Sequence, residues 1–194
     1  MAKYNDIDMS KWKEYEDVLT DSLWIFNKRD NSGVHTAGYH GNFVPQIPNQ
    51  LFKRYTKKGD WILDPFSGGG TSLIEAQRLG RNAIGIELQE SVAKASVELL
   101  KQEKNPETKG TIIIGDSRNT NIADKLESYG INKVQFVIYH PPYWDIIKFS
   151  DNEKDLSNCA TIDDFNQSFG DVIDNTSRYL EKNRYCACVI GDNY

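Results

Sequence analysis

Several features are scarce in this 194-residue sequence, and each absence excludes a class of protein. Cysteine occurs three times, and an odd, small number does not build a disulfide framework. The longest apolar runs, such as residues 136–139, are far too short to cross a bilayer. The first residues contain no apolar stretch of the kind that a secretory signal needs. We therefore expect a cytoplasmic protein with no membrane association.

Residues that could bind a metal are also few. Cys186 and Cys188 are separated by one residue, whereas zinc sites prefer C-x-x-C spacing or paired histidines. Both cysteines lie in residues 185–190, an apolar run that predicts a buried strand, where cysteine behaves as a small hydrophobe. We therefore predict no metal site.

Positive charge is in deficit, with 23 Lys and Arg against 28 Asp and Glu and a net charge of −5. Binding to nucleic acid normally requires clustered Lys and Arg, so the balance argues against a self-sufficient DNA reader. It does not exclude a catalytic core whose recognition surface lies elsewhere. The candidate basic patch consists of Lys53, Arg54, Lys57 and Lys58, although a solvated helix face explains these residues more simply.

The remaining sequence predicts an N-terminal helix and loop over residues 1–37, followed by one domain over residues 38–194. Within the first part, residues 8–20 carry apolar side chains at helical spacing. From residue 60 onward, short apolar strands alternate with helices, which predicts a doubly wound, mostly parallel α/β sheet. The predicted strands are residues 61–64, 83–87, 111–114, 134–139 and 185–190. Ligand sites in such folds lie at the carboxyl ends of the strands.

A glycine-rich turn and three acidic residues follow successive predicted strands. The segment DPFSGGGT (residues 64–71) follows the first strand, and Glu87 and Asp116 close the next two. Asp64 could pair with a cationic amino group, Glu87 with ribose hydroxyls and Asp116 with an adenine amino group. Any one acid alone is more simply a helix cap or a solvated charge. Together they fit a nucleoside with an amino-acid tail, which describes S-adenosylmethionine.

The segments DPFSGGGT (64–71) and LGRNAIGIE (79–87) resemble the cofactor motif of bacterial amino-methylating DNA methyltransferases. The resemblance implies the Rossmann-like fold of class I S-adenosylmethionine-dependent methyltransferases, with Phe66, Gly68 and Gly70 around the methionine portion. The segment HGNFVPQIP (40–48) is similar to the one that closes over the cofactor in many members. The residues expected around the cofactor are Phe43, Asp64, Phe66, Gly68, Gly70, Thr71, Glu87, Asp116 and Ser117.

The segment HPPYW (140–144), after the fourth strand, resembles the catalytic motif of the same family. An exocyclic amino nitrogen is a poor nucleophile because its lone pair is delocalised into the ring. A side-chain acceptor at His140 and a backbone carbonyl near Pro141 and Pro142 would hold the amino group towards the methyl donor. Tyr143 would stack on a base rotated out of the duplex.

His140 departs from the family, whose first motif residue is Asp, Asn or Ser. A neutral imidazole can still accept one hydrogen bond. The expected reaction is methylation of cytosine N4 or adenine N6 in DNA, and the Pro-Pro-Tyr-Trp continuation favours cytosine. Two alternatives stay open: a methyltransferase acting on RNA or on protein glutamine, and an inactive cofactor-binding partner subunit.

The resemblance covers residues 38–149 and leaves target recognition unassigned. Related folds continue with an antiparallel pair of strands after the fifth, and no long insert lies between the two motifs. We therefore expect a sheet that lacks its C-terminal strands and has an exposed edge. DNA is the expected partner, recognised with help from a specificity subunit, a second copy or a missing C-terminal segment.

Overall fold

A parallel sheet of five strands organises the chain. The computed structural model describes residues 3–36, 38–39, 41–103, 105–144 and 146–191. The strands follow the order β3-β2-β1-β4-β5, and every neighbouring pair is parallel. They are β1 (Trp61–Asp64), β2 (Asn82–Glu87), β3 (Gly110–Ile114), β4 (Val134–Tyr139) and β5 (Leu180–Cys188).

Helices connect the strands and cover both faces of the sheet. They are α1 (Gln46–Tyr55), α2 (Thr71–Arg78), α3 (Glu90–Glu103), α4 (Ala123–Ser128) and α5 (Ile162–Ser177), with 3-10 turns at Met9–Tyr15 and Leu156–Asn158. The order of the strands reverses between β1 and β4, which is the switch point where doubly wound sheets bind ligands. The predicted doubly wound α/β fold is confirmed.

Alternate residues of the central strands enter two separate cores. Leu63 and Val137 pack with α4 and α5 on one face, whereas Ile62 and Phe136 pack with α1, α2 and α3 on the other. Successive side chains of a strand point to opposite faces, so a strand buried on both sides is apolar throughout. This is why β1 and β4 contain almost no polar residues.

The strand predicted as buried at residues 185–190 is instead the sheet edge. It begins at Leu180 and ends at Cys188, and both Cys186 and Cys188 are exposed. Its pairing with β4 shifts between Val134 and Phe136, in the region where Asn183 adopts a φ of 64°. An edge strand has only one neighbour and is incompletely covered, which an apolar run does not disclose. Residues 192–194 lie outside the described residues.

The N-terminal helix predicted over residues 8–20 is also wrong. A short 3-10 helix occupies Met9–Tyr15, buries none of its residues and leaves Trp12 63% exposed. Three apolar residues at helical spacing do not form an α-helix without a surface on which to pack. Among the residues that the structure describes, no helix has the length and apolarity needed to span a membrane.

The segment between this turn and α1 is tied to α2. We call residues 28–36, 38–39 and 41–43 the strap. His35 Nε2 lies 2.6 Å from Glu75 Oε1 in a buried contact, and Arg78 donates to the Ser32 carbonyl at 2.7 Å. Arg29 closes the strap on itself by donating to the Phe43 carbonyl at 2.9 Å. These contacts hold the end of the strap over the carboxyl ends of the strands.

Candidate active site

A cleft opens at the carboxyl ends of β1, β2 and β4, and its empty space, with the open solvent at its mouth included, is about 1040 Å³. Its walls come mainly from five segments that are distant in sequence: the end of the strap, the turn after β1, the end of β2, the turn after β3 and the chain after β4. The location is the one expected of a doubly wound sheet.

The glycine loop, residues 65–70, turns the chain from β1 into α2. Gly68 and Gly70 have φ values of 46° and 79°, in the left-handed region that side chains disfavour. A Cβ on Gly68 would lie 2.9 Å from Cε1 of Tyr39, so the strap packs directly on this loop. Gly70 precedes α2 and lies against Ser96 of α3; it does not line the cleft. The two glycines therefore shape the turn, and Gly68 contributes to the wall.

Asp64 is buried at the end of β1 and bonded only to neutral groups. Its carboxylate accepts hydrogen bonds from the Ser72 hydroxyl and, at 2.9 Å, from the Phe66 backbone N–H. Burial raises the pKa of Asp64 to about 6, and the nearby charge of Glu87 adds to the effect. A cation placed in the cleft would favour the ionised carboxylate.

Glu87 closes β2 in a similar setting. Its side chain is 7% exposed and accepts from the Gly68 N–H at 3.0 Å and from the Gln89 N–H at 2.8 Å. Burial raises the pKa of Glu87, against the effect of these backbone donors. Both carboxylate oxygens are therefore oriented by the backbone, which fixes the side chain at the cleft wall.

The side chains of Asp116 and Ser117, just after β3, both form hydrogen bonds with other groups of the protein. Burial acts to raise the pKa of Asp116, but the Arg118 guanidinium bonds both carboxylate oxygens, at 2.8–3.1 Å, and the net pKa is lowered. The Ser117 hydroxyl donates to the Pro65 carbonyl at 2.5 Å. Ser117 thus joins the β3 turn to the glycine loop.

The charge of this half of the cleft fits a cationic ligand. Among the described residues, no Lys or Arg forms a salt bridge with Asp64, Glu87 or Asp155, all of which are buried and line the cleft. Buried carboxylates without a cationic partner are costly, and a bound cation offsets that cost. S-adenosylmethionine carries a sulfonium and an ammonium group, so these residues fit it. Within the same described ranges, no cluster of His, Cys, Asp and Glu is arranged to hold a metal.

The HPPYW segment forms the opposite wall of the same cleft. His140 Nε2 lies 3.2 Å from the Tyr143 hydroxyl, and the imidazole packs edge-on against Phe43 with ring centroids 4.6 Å apart. Burial lowers the pKa of His140 to about 4, so the ring is neutral at physiological pH. Burial also raises the pKa of Tyr143, whose hydroxyl stays protonated. Trp144 does not line the cleft; its Nε1 donates to the Cys159 carbonyl at 2.8 Å.

The cleft brings together most of the residues predicted for the site. Gly70 is the exception, and His40 lies outside the described residues. The predicted residues on the cleft wall are Phe43, Asp64, Phe66, Gly68, Thr71, Glu87, Asp116, Ser117, His140, Pro141, Pro142 and Tyr143. Their roles stay predictions.

The wall also contains residues that were not predicted, among them Tyr39, Gln89, Phe149 and Asp155. Tyr39 and Phe149 stack with ring centroids 6.2 Å apart, joining the strap to the chain after β4. Asp155 is 6% exposed and accepts from the Ser150 hydroxyl at 2.7 Å. Of these four, only Gln89, two residues after Glu87, has a position in the sequence that could have suggested it.

The candidate basic patch does not border the cleft. Lys53 and Arg54 lie at the end of α1, and Lys58 packs against Gly80, just before β2, so the patch lies at the amino ends of the strands. Lys53 is also paired with Asp17. The simpler interpretation, a solvated helix face, is also wrong for most of the patch, because α1 ends before Lys57 and Lys58, and Lys58 alone of the four is exposed.

Comparison with known proteins gives a family match over the half of the chain that carries the strap and the glycine loop. The family model described as DNA methylase matches residues 2–98, which is half of the chain. The match ends before the HPPYW segment.

Type II methyltransferases are similar to this chain over about half of its length. M.MjaII of Methanocaldococcus jannaschii is 34% identical over 95 residues, covering 44% of this chain and 18% of that protein. M2.DpnII of Streptococcus pneumoniae is 35% identical over 97 residues, covering 50% of this chain and 34% of that protein. M.MjaI of Methanocaldococcus jannaschii is 41% identical over 82 residues, covering 41% and 26%. The matched region is thus about a third or less of each relative's length.

Two solved structures share the fold. YjhP from E. coli superposes with a TM-score of 0.50 at 12% identity, covering 80% of this chain and 52% of that chain. PH0226 from Pyrococcus horikoshii also gives 0.50, at 17% identity, covering 71% and 48%. At these identities the likeness is one of architecture.

Close packing of the glycine loop on β2 generates a prediction at Gly85. A Cβ there would lie 2.7 Å from the Ser67 Cβ, so Gly85→Ala must displace the loop. We expect a loss of about 1–3 kcal/mol in the free energy of unfolding, measured in urea. Gly170 of α5 is a matched control with open space at its Cβ position, and Gly170→Ala should raise stability by about 0.5–1 kcal/mol. If Gly85→Ala were as stable as the wild type, the glycine loop could be displaced at no cost in the free energy of unfolding.

Proposed function

Because this chain belongs to the DNA methylase family, we propose that it transfers a methyl group from S-adenosylmethionine to an exocyclic amino group of DNA, cytosine N4 or adenine N6. One observation carries the proposal. The glycine loop with its buried acids and the HPPYW segment, separated by about 70 residues in sequence, line a single cleft. This transfer needs a cleft with one half that binds a cation and another half that accepts hydrogen bonds.

The first half of the cleft would bind the cofactor. S-adenosylmethionine supplies a methyl group that is already activated by its bond to a sulfonium sulfur. Asp64 and Glu87 would balance the cationic charge, and Phe66, Gly68 and Phe43 would enclose the ligand. Proximity and orientation would then supply much of the rate, since the donor needs no further activation.

The second half would position the amino group. Neutral His140 offers one unprotonated ring nitrogen. When Nε2–H donates to the Tyr143 hydroxyl, Nδ1 is free to accept a hydrogen from the target amino group. A carbonyl beside Pro141 would accept the second hydrogen, because proline fixes the backbone and has no N–H. Accepting both hydrogens concentrates the nitrogen lone pair towards the methyl group.

His140 would hold this hydrogen bond without keeping the proton. A group with a pKa near 4 is a weak base at physiological pH, so the proton released after transfer would pass on to solvent. Tyr143 would support the face of the extruded base, with its hydroxyl fixing the imidazole. Pro142 would keep Tyr143 in place.

Target recognition would require a contribution from outside this cleft. The net charge is −5, and the basic patch lies at the opposite end of the sheet. A specificity subunit, a second copy or a C-terminal segment would supply contacts to DNA, in a protein that works in the cytoplasm. The matched relatives, which are much longer than the matched region, support such a contribution.

Methyl transfer from labelled S-adenosylmethionine tests the proposal directly. The chain is incubated separately with unmethylated genomic DNA, bulk RNA and a mixed protein substrate. We expect label in DNA, at N4-methylcytosine or N6-methyladenine after digestion. Label in RNA or protein glutamine would identify one of the alternative activities, and cofactor binding without transfer would identify an inactive partner subunit.

The hydrogen-bond acceptor at His140 generates a second prediction. His140→Leu should reduce transfer by about 10²–10⁴-fold while cofactor affinity persists, whereas His140→Asn keeps an acceptor and should retain activity. Because burial lowers the pKa of His140 to about 4, the ring is protonated only below that value. The rate at saturating cofactor should therefore stay constant down to about pH 5. A His140→Leu protein as fast as the wild type would make the residue structural.

The buried charge of Asp64 generates a third prediction, about cofactor affinity. The pKa of Asp64 is raised to about 6, so the carboxylate is ionised above that pH and protonated below it. Affinity for the cationic cofactor, measured by calorimetry, should be highest above pH 6 and fall by up to about tenfold per unit below it. Asp64→Asn should weaken binding at pH 7.5 and flatten this dependence. Asp124→Asn, on the exposed surface of α4, is the control and should behave as the wild type.

A further inference from the structure

Two adjacent isoleucines at the mouth of the cleft are exposed to solvent. Ile146 and Ile147 are 40% and 42% exposed, yet both line the cleft that contains His140 and Tyr143. Neither belongs to the two hydrophobic cores. Single exposed apolar residues are ordinary on protein surfaces, but an adjacent pair beside a catalytic motif needs a reason.

The chain on both sides of the pair is held in place. Before it, Trp144 Nε1 donates to the Cys159 carbonyl at 2.8 Å. After it, the Phe149 carbonyl accepts from Gln89 Nε2 at 3.3 Å, and the Phe149 ring stacks on Tyr39. The isoleucines are therefore presented from anchored positions at the rim.

Extruding a base from a duplex leaves a gap in the base stack. Unstacking and unpairing cost a few kcal/mol, and the cost is smallest where the base is already mispaired. Proteins that deform DNA offset such costs by inserting apolar side chains, isoleucine among them, between base steps. The proposed reaction places a rotated base in the cleft, and the rim beside it then faces the gap.

We propose that Ile146 and Ile147 form an apolar wedge that enters the base stack of duplex DNA beside the target nucleotide. The proposal rests on the proposed function, because it requires a base in the cleft. Lys148, which is exposed and adjacent to the wedge, would contact the neighbouring phosphate. Its ion pair with Asp151, at 2.6 Å, involves two exposed side chains and is readily exchanged.

The test compares two DNA substrates that differ only in the cost of extrusion. The methylated position is first mapped in DNA modified by the wild-type chain. Synthetic duplexes then carry that target either normally paired or opposite an abasic site. For the double variant Ile146→Ala/Ile147→Ala we expect transfer to the paired target to fall about tenfold, equivalent to about 1.4 kcal/mol. Transfer to the target opposite the abasic site should stay within about twofold of the wild type.

Two further variants separate the wedge from a general loss of function. Ile146→Leu/Ile147→Leu keeps the apolar volume and should retain transfer to the paired target. Ile162→Ala removes an isoleucine of similar exposure, 46%, that does not line the cleft, and should match the wild type on both substrates.

Three outcomes would overturn the wedge. Equal loss on both substrates would show that the pair serves DNA or partner binding in general, and no loss on either would show that it is dispensable. A wild-type chain that transfers no methyl to DNA would overturn the proposed function and the wedge with it. Only a defect confined to the paired target supports the proposal.

Discussion

The pairing of β1 with β4 is the constraint on which the rest of this structure depends. The register sets Ile62 beside Phe136 and Leu63 beside Val137, so the two strands end side by side. Asp64 at the end of one strand and His140 just beyond the other therefore reach the same cleft. That register is fixed because a shift of one residue would exchange the side chains that enter the two cores. Packing in the two cores thus determines which side chains meet at the cleft.

The same architecture places negative charge where the protein itself provides little to balance it. Asp64 and Glu87 are buried, and their hydrogen bonds come from a hydroxyl and from backbone N–H groups. Such donors orient a carboxylate without neutralising it, and burial accordingly raises both pKa values. Asp116 contrasts with them, because Arg118 neutralises it and lowers its pKa. The two ends of the cleft therefore differ in charge: the carboxylates beside the glycine loop have no cationic partner, whereas the carboxylate beside β3 has one.

Much of the fold could be predicted because a strand that is buried on both faces is apolar throughout and therefore stands out in the sequence. The bounds of β1 and β4 agree with those predicted, and the two motifs line one cleft. An exposed edge after the fifth strand was expected and β5 forms it, but the exposure of Cys186 and Cys188 was missed, because an apolar run does not disclose which of its faces is left uncovered. Tyr39 and Asp155 were missed because only folding brings the strap and the chain after β4 to the glycine loop.

Histidine at the first position of the HPPYW segment is consistent with this electrostatic setting. A carboxylate there would add a further negative charge to a cleft that already holds Asp64 and Glu87. Repulsion between these charges would keep the added carboxyl group protonated in a fraction of the molecules. A protonated imidazole would offer donors only and would lose the acceptor that the reaction needs. Burial against Phe43 excludes the second case by lowering the pKa of His140 to about 4. In the proposed reaction the neutral ring would therefore do what an asparagine oxygen would do, because its buried surroundings keep an acceptor nitrogen unprotonated.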